Sequence, residues 1–277
     1  VFNEDEEICI QRRIVIYEPK VTISAKVVRD RDLKNIQERQ VVQFSIAHPN
    51  MHINSPKQEL NISILQNNDW NFSKENLKPQ FYKKDMLIFN YNEETSFFGN
   101  NEFLNFDTKN FTGNHVSIAK TTLDDLYNTY LYTNTPRASS PYTYFPDING
   151  DFIVRSLNAS DDTLEGDYTQ LHFSLEMKNN NINQDIYIYG AYNNYALNDE
   201  NKLIYNENSG MFENTQLFKQ GFYNYSYATI TEQNITEQHK IDGSFFFTEN
   251  NYTILVYYKP FGARIGQIIG AVTINKR

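Results

Sequence analysis

Alternating apolar and polar residues run through most of the chain. The stretch "VTISAKVV" at 21–28 sets valine, isoleucine and alanine against threonine, serine and lysine, and "QVVQFSIAH" at 40–48 repeats the pattern. Because successive side chains of a β-strand point to opposite faces, this period of two predicts half-buried strands. Further runs rich in β-branched and aromatic residues are "ELNISIL" (59–65), "DMLIFNY" (85–91), "DIYIYGAY" (185–192) and "YTILVYYKP" (252–260). The pattern predicts an all-β protein with little helix.

Two segments are less uniform. "TTLDDLYNTYL" (121–131) fits a short helix capped at Thr122, although the alternation at Tyr130 and Tyr132 also permits a strand. "DING" (147–150) before "DFIVRS" is an Asn-Gly hairpin signal. "DINGD" also has the spacing of a calcium loop, but Phe152 and Asn158 occupy the positions where such a loop requires Gly and Glu. The hairpin is therefore the favoured interpretation.

The length and the spacing of turns predict two β-sandwiches in tandem. A chain of 277 residues is long enough for two domains, and polar residues cluster in "LNASDDTLEGDY" near residue 160. We therefore expect immunoglobulin-like or early-set β-sandwich domains over 21–160 and 161–277. Residues 1–20 are expected to be the last strand of a preceding, truncated domain.

Charge and cysteine content exclude several classes of protein. The net charge is −9 and the pI about 5.1, whereas binding to nucleic acid needs clustered Lys and Arg. The single cysteine, Cys9, rules out an internal disulfide and a Cys-rich metal site. The longest apolar run, "IGQIIGAVTI", is too short for a helix that spans a membrane. We expect neither a nucleic-acid partner nor a direct membrane span.

The sequence offers no recognisable catalytic arrangement. It contains no GxSxG motif, no Gly-rich phosphate loop and no Cys–His pairing. The paired acids Asp124–Asp125 and Asp161–Asp162 are adjacent in the chain, whereas glycosidases need two carboxylates that converge across a cleft. His48 and His52 have a helical spacing, but Pro49 lies between them. We expect no enzyme activity, no catalytic or metal-binding residues, no cofactor and no small-molecule substrate.

The many aromatic residues raise the question of which ones form a core. In "LFKQGFYNYSYATI" (217–230) the tyrosines 223, 225 and 227 share one face of a strand and Phe222 lies on the other. Phe222 is assigned to the core, with the tyrosine row as the alternative core face. Trp70, the only tryptophan, is predicted to be a core anchor, and an exposed contact is the alternative.

The motif "GAYNNY" (190–195) suggests a second kind of function. It lies in a region similar to the early-set sandwich of glycogen-binding modules, which stack exposed aromatic rings on sugars. Tyr192 and Tyr195 would then bind carbohydrate, and the protein would be a carbohydrate-binding module or a surface adhesin. The usual tryptophan platform is missing, since Trp70 lies in the other half of the chain. Aromatic packing in a core is the competing interpretation.

Four stretches taken together resemble one known family. They are "ISILQNNDW" (62–70), "FFGNNEFLNFDT" (97–108), "YIYGAYNNY" (187–195) with "LFKQGFYNYSY" (217–227), and "YTILVYYKPFGARIGQIIGAV" (252–272). In order and spacing they are similar to the plug proteins of the type IX secretion system of Bacteroidota. The resemblance extends over nearly all of residues 8–277.

The resemblance implies a function without chemistry. Members of that family are periplasmic β-sandwich proteins that close the periplasmic mouth of a large outer-membrane translocon β-barrel when no substrate carrier is engaged. It implies a periplasmic protein, peripherally associated with the outer membrane through the translocon. Interfaces combine apolar area with adaptable hydrogen bonds, so we look for aromatic residues flanked by asparagine. The predicted contact residues are Phe97, Phe98, Asn100, Asn101, Tyr192, Asn193, Asn194 and Tyr195.

Overall fold

The secondary structure consists almost entirely of β-strands. The computed structural model describes residues 13–113, 115–177, 184–231 and 236–276, so Cys9 lies outside the described residues. In chain order the strands are β1 (Thr22–Arg29), β2 (Arg39–Ala47), β3 (Leu60–Gln66), β4 (Asp69–Leu77), β5 (Phe81–Lys83), β6 (Met86–Phe89), β7 (Ser96–Phe98), β8 (Leu104–Asp107), β9 (Ile118–Leu123), β10 (Tyr127–Leu131), β11 (Phe152–Val154), β12 (Tyr168–Leu175), β13 (Gln184–Tyr189), β14 (Ile204–Asn206), β15 (Met211–Lys219), β16 (Gly221–Thr231), β17 (Thr236–Glu237), β18 (Asn250–Tyr258) and β19 (Gln267–Lys276). The prediction of an all-β sandwich fold is confirmed.

Helices are short and few among the described residues. They are α1 (Pro56–Glu59), α2 (Asp162–Glu165) and α3 (His239–Asp242), with 3-10 turns at Ala191–Asn193 and Asp199–Asn201. None of the helices in the described part of the chain is long and apolar enough to cross a membrane.

The first sandwich packs two sheets around a mainly aliphatic core. One sheet has the order β1-β2-β6-β5, with β7 also paired to β2, and the other has the order β19-β18-β3-β4. Val42, Phe44 and Ile46 of β2 are buried in this core, and Ile23 of β1 packs against it, as the alternation predicts. Phe44 stacks on Phe89 with 4.2 Å between ring centroids.

The second sandwich has an aromatic core. Its sheets have the orders β14-β15-β12-β10-β9 and β11-β16-β13, and β8 and β17 also pair with β16. Phe106 lies at the centre, in ring contact with Phe173, Phe218, Tyr223 and Tyr225. Edge-to-face and offset-stacked rings of this kind add favourable electrostatics to the burial of area.

The two sandwiches are nested rather than consecutive. Strand β18 pairs with β3 along seven residues, so the last strands of the chain complete the first sandwich. Strands β8 to β11 precede residue 160 but belong to the second sandwich, where β8 and β11 pair with β16. The expected division into 21–160 and 161–277 is therefore wrong. Alternation identifies strands but carries no information on which distant strand each one pairs with, and this pairing decides the domains.

The tyrosine row of β16 faces the core. Tyr223, Tyr225 and Tyr227 are buried, whereas Phe222 on the opposite face is only partly buried, beneath the guanidinium of Arg155. The assignment of Phe222 to the core is therefore wrong, and the alternative is correct. The hydroxyls of Tyr225 and Tyr227 each accept a hydrogen bond from the Asn134 side-chain amide, at 2.8 and 2.9 Å. A single side-chain amide thus donates hydrogen bonds to two buried phenols.

Three local predictions have mixed outcomes. Residues 121–131 contain no helix and form the hairpin of β9 and β10, so the strand alternative is correct. Asn149 and Gly150 adopt the left-handed backbone of a tight turn, but no strand precedes this turn, so it is not a β-hairpin. Residues 13–20 form no strand and run beside β19, where the N–H of Lys20 donates to the carbonyl of Ile269. The earlier part of the strand expected at 1–20 lies outside the described residues.

Candidate functional site

The predicted contact residues at 97–101, the first contact loop, lie where the two sandwiches meet. Phe97 is buried in the core of the first sandwich, and Phe98 stacks on His239 with 3.8 Å between ring centroids. The Asn100 amide donates to Gln66 and to Gln238, and the Asn101 amide donates to the carbonyl of Asp242. These four side chains therefore act within the molecule, and none of the four is exposed.

The predicted contact residues at 192–195, the second contact loop, also make most of their contacts inside the molecule. Tyr192 packs against Phe218 and Tyr223, and Tyr195 is buried with its hydroxyl donating to the carbonyl of Asn67 at 2.8 Å. Asn193 is partly buried, and its side-chain amide donates to the carbonyl of Ile188 in the second sandwich. Of the eight predicted contact residues only Asn194 is exposed. The expectation that Tyr192 and Tyr195 form an open stacking surface is wrong, because their rings pack inside the protein.

Polar side chains at the boundary between the sandwiches hold them together. We call the group of Asp69, Tyr189 and Gln238 the joint. Asp69 of the first sandwich accepts hydrogen bonds from the hydroxyl of Tyr189 and from the amide of Gln238, both in the second. Burial raises the pKa of Asp69 to about 6, although these hydrogen bonds act in the opposite direction. Burial also raises the pKa of Tyr189 well above its usual value. The proton therefore stays on the phenol, which donates to the carboxylate.

The chain crosses between the sandwiches twice at this joint. It leaves the first sandwich at Gly99 and returns through residues 243–249, and the N–H of Phe245 donates to the carbonyl of Asn100 at 2.9 Å. The buried amide of Gln40 donates to the carbonyls of Phe246 and Thr248, both at 2.8 Å. Such fully paired buried groups fix one arrangement of the crossing segments.

The turn at 147–150 is fixed against the second sandwich. The buried side-chain oxygen of Asn224 accepts from the N–H groups of Ile148 and Gly150, at 2.7 and 3.2 Å. The carboxylate of Asp147 accepts from the N–H groups of Phe103 and Asn149. Burial nevertheless raises the pKa of Asp147 to about 7. This turn forms one wall of a cleft.

The cleft lies between the two sandwiches and has a volume of about 560 Å³. The first sandwich contributes Asn68, Trp70 and Asn251 to its walls, and the second contributes Asn149 and Asp151. Ligand sites commonly form at such junctions, where a few polar groups converge on an apolar surface. The side-chain oxygen of Asn149 is buried and has no hydrogen-bond partner among the described residues. The cleft can therefore offer amide and carboxylate groups to a polar ligand.

Trp70 forms part of this cleft instead of a core. It is half-buried, and the guanidinium of Arg13 lies over its ring at 4.1 Å from the centroid. The prediction of a core anchor is therefore wrong, because the indole is only half-buried and belongs to none of the core clusters. The pair presents a flat aromatic and cationic surface.

Strained backbone concentrates at the same cleft. Among the described residues, seven that are not glycine have positive φ, and five of them line the cleft: Asn67, Asn68, Asn149, Asn194 and Tyr195. Asparagine tolerates this conformation, whereas tyrosine rarely adopts it. Backbone of this kind is maintained when surrounding contacts over-determine it, and it often occurs at binding sites.

The titratable side chains of the described part of the chain are not gathered into a metal site. Within it, no three His, Cys, Asp or Glu side chains are grouped so that they could hold a metal ion. The buried carboxylates Asp69 and Asp147 are each engaged by hydrogen bonds that stabilise the joint and the turn.

Comparison with known proteins is informative for solved structures. No model of a known family matches the chain, and no curated protein matches it. Among solved structures, the chain is similar to the crystal structure of a hypothetical protein from Parabacteroides merdae, a member of the Bacteroidota, with 30% sequence identity and a TM-score of 0.89. The match covers 94% of this chain and 66% of that chain, so this chain spans slightly less than two thirds of its neighbour. The similarity supports the all-β sandwich fold.

Sequence reasoning missed the cleft because its walls come from distant segments. Asn68, Asn149 and Asn251 lie in three separate turns or strands, and they meet only because β18 pairs with β3 and the second sandwich is inserted between them. The sequence signal that could have indicated the cleft is the recurrence of asparagine at turns. That signal is weak by itself, because asparagine is frequent throughout this chain.

Proposed function

We propose that the protein is a non-enzymatic plug subunit of the type IX secretion system. In this proposal it binds the periplasmic side of the large outer-membrane translocon β-barrel and closes its pore when no substrate carrier is engaged. The sandwiches are of the immunoglobulin-like or early-set type, and the protein is periplasmic and attached to the outer membrane through the translocon. The role needs no cofactor and no small-molecule substrate.

The buried joint is the observation that carries the proposal. A plug has to resist displacement by solutes, so its parts must not move independently. Here two chain crossings and the Asp69–Tyr189 hydrogen bond connect the sandwiches into one unit. The sequence resemblance and the Bacteroidota origin of the structural neighbour add support from outside the geometry.

The surface that meets the barrel must differ from the one expected. Seven of the eight predicted contact residues are buried or partly buried, and only Asn194 is exposed. We therefore keep Asn194 as a direct contact in the proposal. The aromatic residues of the two loops would support the interface indirectly, because they hold the joint.

Affinity purification tests the proposal directly. The tagged full-length protein should co-purify with a large outer-membrane barrel from detergent-solubilised outer membranes. Asn194→Arg should weaken this association, whereas Asn208→Arg, at an exposed asparagine of another turn, should not. Deletion of the gene should raise the uptake of large antibiotics, and the increase should disappear in a strain that also lacks the barrel. Unchanged uptake together with no co-purifying barrel would refute the proposal.

The cleft favours a second candidate function, carbohydrate binding. Its half-buried tryptophan and its amide side chains are the groups that usually recognise sugars, and the volume of about 560 Å³ is sufficient for a short oligosaccharide. A glycan array tests this candidate. Binding should be lost in Trp70→Ala and in Asn149→Ala but retained in Tyr192→Phe, because Tyr192 packs against the core. Absence of any glycan signal would remove this candidate.

A further inference from the structure

One end of the first sandwich is basic, although the protein is acidic. The segments 56–59, 78–86 and 259–266 contain six basic residues and two acidic ones, a net charge of +4 in a chain whose net charge is −9. The remaining residues therefore carry −13. We call these three segments the basic end. Their basic residues are Lys57, Lys78, Lys83, Lys84, Lys259 and Arg264.

Strand register places the three segments at the same end of the sandwich. Leu60 pairs with Tyr258, which also pairs with Gln267, so the β18–β19 turn lies beside the start of β3. Met86 pairs with both Ala47 and Lys83, so the β5–β6 turn lies at the end of β2. Helix α1 connects the two groups. The N–H of Lys259 donates to the carbonyl of Glu59, and the Lys57 ammonium lies 6.0 Å from the ring centroid of Tyr82.

The same end exposes large apolar side chains. Phe261 is 97% exposed and Ile265 is 84% exposed at the tip of the β18–β19 turn, and Phe81, Tyr82 and Met86 are exposed at the β5–β6 turn. Single exposed apolar residues are ordinary, but a cluster at one end marks an interaction surface. Gly262, with φ of +81°, adopts the left-handed backbone that the tight turn at this tip requires.

The two acidic side chains of these three segments do little to offset their positive charge. The Glu59 carboxylate is buried and accepts a hydrogen bond from the N–H of Ser55 at 3.2 Å. Asp85 is exposed but lies directly after Lys83 and Lys84. The exposed surface of the basic end is therefore positive and apolar at once.

We propose that the basic end docks on the surface of an anionic phospholipid membrane. Phe261 and Ile265 would enter the boundary between headgroups and acyl chains, and the lysines and Arg264 would lie at the level of the phosphates. Aromatic and aliphatic tips supply the apolar contribution to such binding, while Lys and Arg near an anionic surface supply the electrostatic one. The negative charge of the remaining surface would orient the molecule with this end towards the bilayer. The inference goes beyond the proposed plug function and does not depend on it.

Charge and shape together favour a membrane as the occupant. A second copy of this acidic chain would also offer negative charge, but it would have to seat the projecting side chains of Phe261 and Ile265, which are 97% and 84% exposed, in a recess of matching shape. A bilayer accommodates a convex apolar tip without a matching pocket. Binding to a membrane would thus use both features of the basic end.

Vesicle sedimentation tests the proposal. The full-length protein is mixed with vesicles of phosphatidylethanolamine and phosphatidylglycerol, or with vesicles of phosphatidylcholine alone. It should sediment with the first at low salt and much less with the second, and about 0.5 M salt should weaken the binding because screening shortens the range of the attraction. The double variants Phe261→Ala/Ile265→Ala and Lys83→Glu/Lys84→Glu should each lower the partition coefficient roughly tenfold or more.

Matched controls make the outcome specific. Val116 and Leu164 are as exposed as Ile265, at 84% and 80%, but belong to the second sandwich. The double variant Val116→Ala/Leu164→Ala should therefore sediment like the wild type. No lipid-dependent sedimentation, or equal losses in the control variant, would overturn the proposal. A dimer in sedimentation velocity that Phe261→Ala/Ile265→Ala abolishes would also overturn it, in favour of a second copy. None of these three results bears on co-purification with a barrel, so failure of the membrane proposal is distinguishable from failure of the plug function.

Discussion

The hydroxyl of Tyr189 donates a hydrogen bond to the carboxylate of Asp69 across the boundary between the two sandwiches. Both residues are buried, and Gln238 donates to the same carboxylate at 3.0 Å. A buried carboxylate held by neutral donors is stabilised less than it would be in water, which is the reason its pKa rises to about 6. The joint therefore contains a titratable group whose charged form weakens the fold.

The stability of the protein should decrease as pH rises from about 4 to 6. The folded pKa of Asp69 lies above its ordinary value of 3.8, so the folded state binds more protons than the unfolded state in this window. Its contribution is fully present below pH 3.8 and is lost as pH rises through about 6. The shift corresponds to roughly 3 kcal/mol at most. Asp147, whose pKa is raised to about 7, extends the decrease towards neutral pH.

Urea denaturation at several pH values measures this effect. The free energy of unfolding of the wild type should fall between pH 4 and pH 7. Asp69→Asn should show a shallower decrease, because the amide cannot ionise. Asp125→Asn, at an exposed position, should follow the wild type closely. Parallel curves for wild type and Asp69→Asn would contradict the prediction.

Gly99→Ala should destabilise the joint. A Cβ at this position would lie 2.0 Å from the carbonyl oxygen of Phe245, which belongs to the returning chain. Backbone atoms on both sides are held by hydrogen bonds, so the two crossing segments would have to separate. We expect a loss of roughly 1–3 kcal/mol or more in the free energy of unfolding. Gly266→Ala is the matched control, since its Cβ would meet neighbours at no less than 3.4 Å, and a similar loss in both variants would argue against this explanation.

The strands could be predicted from the sequence, and the joint could not. Alternation in 21–28 and 40–48 correctly gave the partly buried face of β1 and the buried face of β2, because period two is a local property of the chain. The clustering of aromatic residues with asparagine at 97–101 and 192–195 suggested contact with a partner, but all of the eight predicted residues except Asn194 pack within the molecule. It could not indicate that the partner surface belongs to the same molecule, because that depends on the pairing of β3 with β18.

Trp70→Ala should cost only about 1 kcal/mol of stability. The indole is half-buried, and one guanidinium covers it, so its removal leaves no closed cavity in a core. Full burial would instead give a loss of roughly 3–5 kcal/mol. Thermal and urea denaturation of the variant measure the difference. A loss in the higher range would contradict the half-buried position of the indole.

The tyrosine row of β16 should be much less tolerant of substitution than Phe222. Tyr227→Ala removes a fully buried ring from the second core and should lower the free energy of unfolding by roughly 3–5 kcal/mol. Tyr227→Phe keeps the ring but removes one of the two hydroxyls that accept from Asn134, so a loss of about 1 kcal/mol is expected. Phe222→Ala is the control from the opposite face of the same strand, and it should cost less than Tyr227→Ala because the ring is only partly buried beneath Arg155. Urea denaturation of the three variants gives their order. If Phe222→Ala were the most damaging, the core of the second sandwich would lie on the other face of β16. The order expected here follows from burial, because both rings lie in one strand with the same local backbone and differ mainly in the face they occupy.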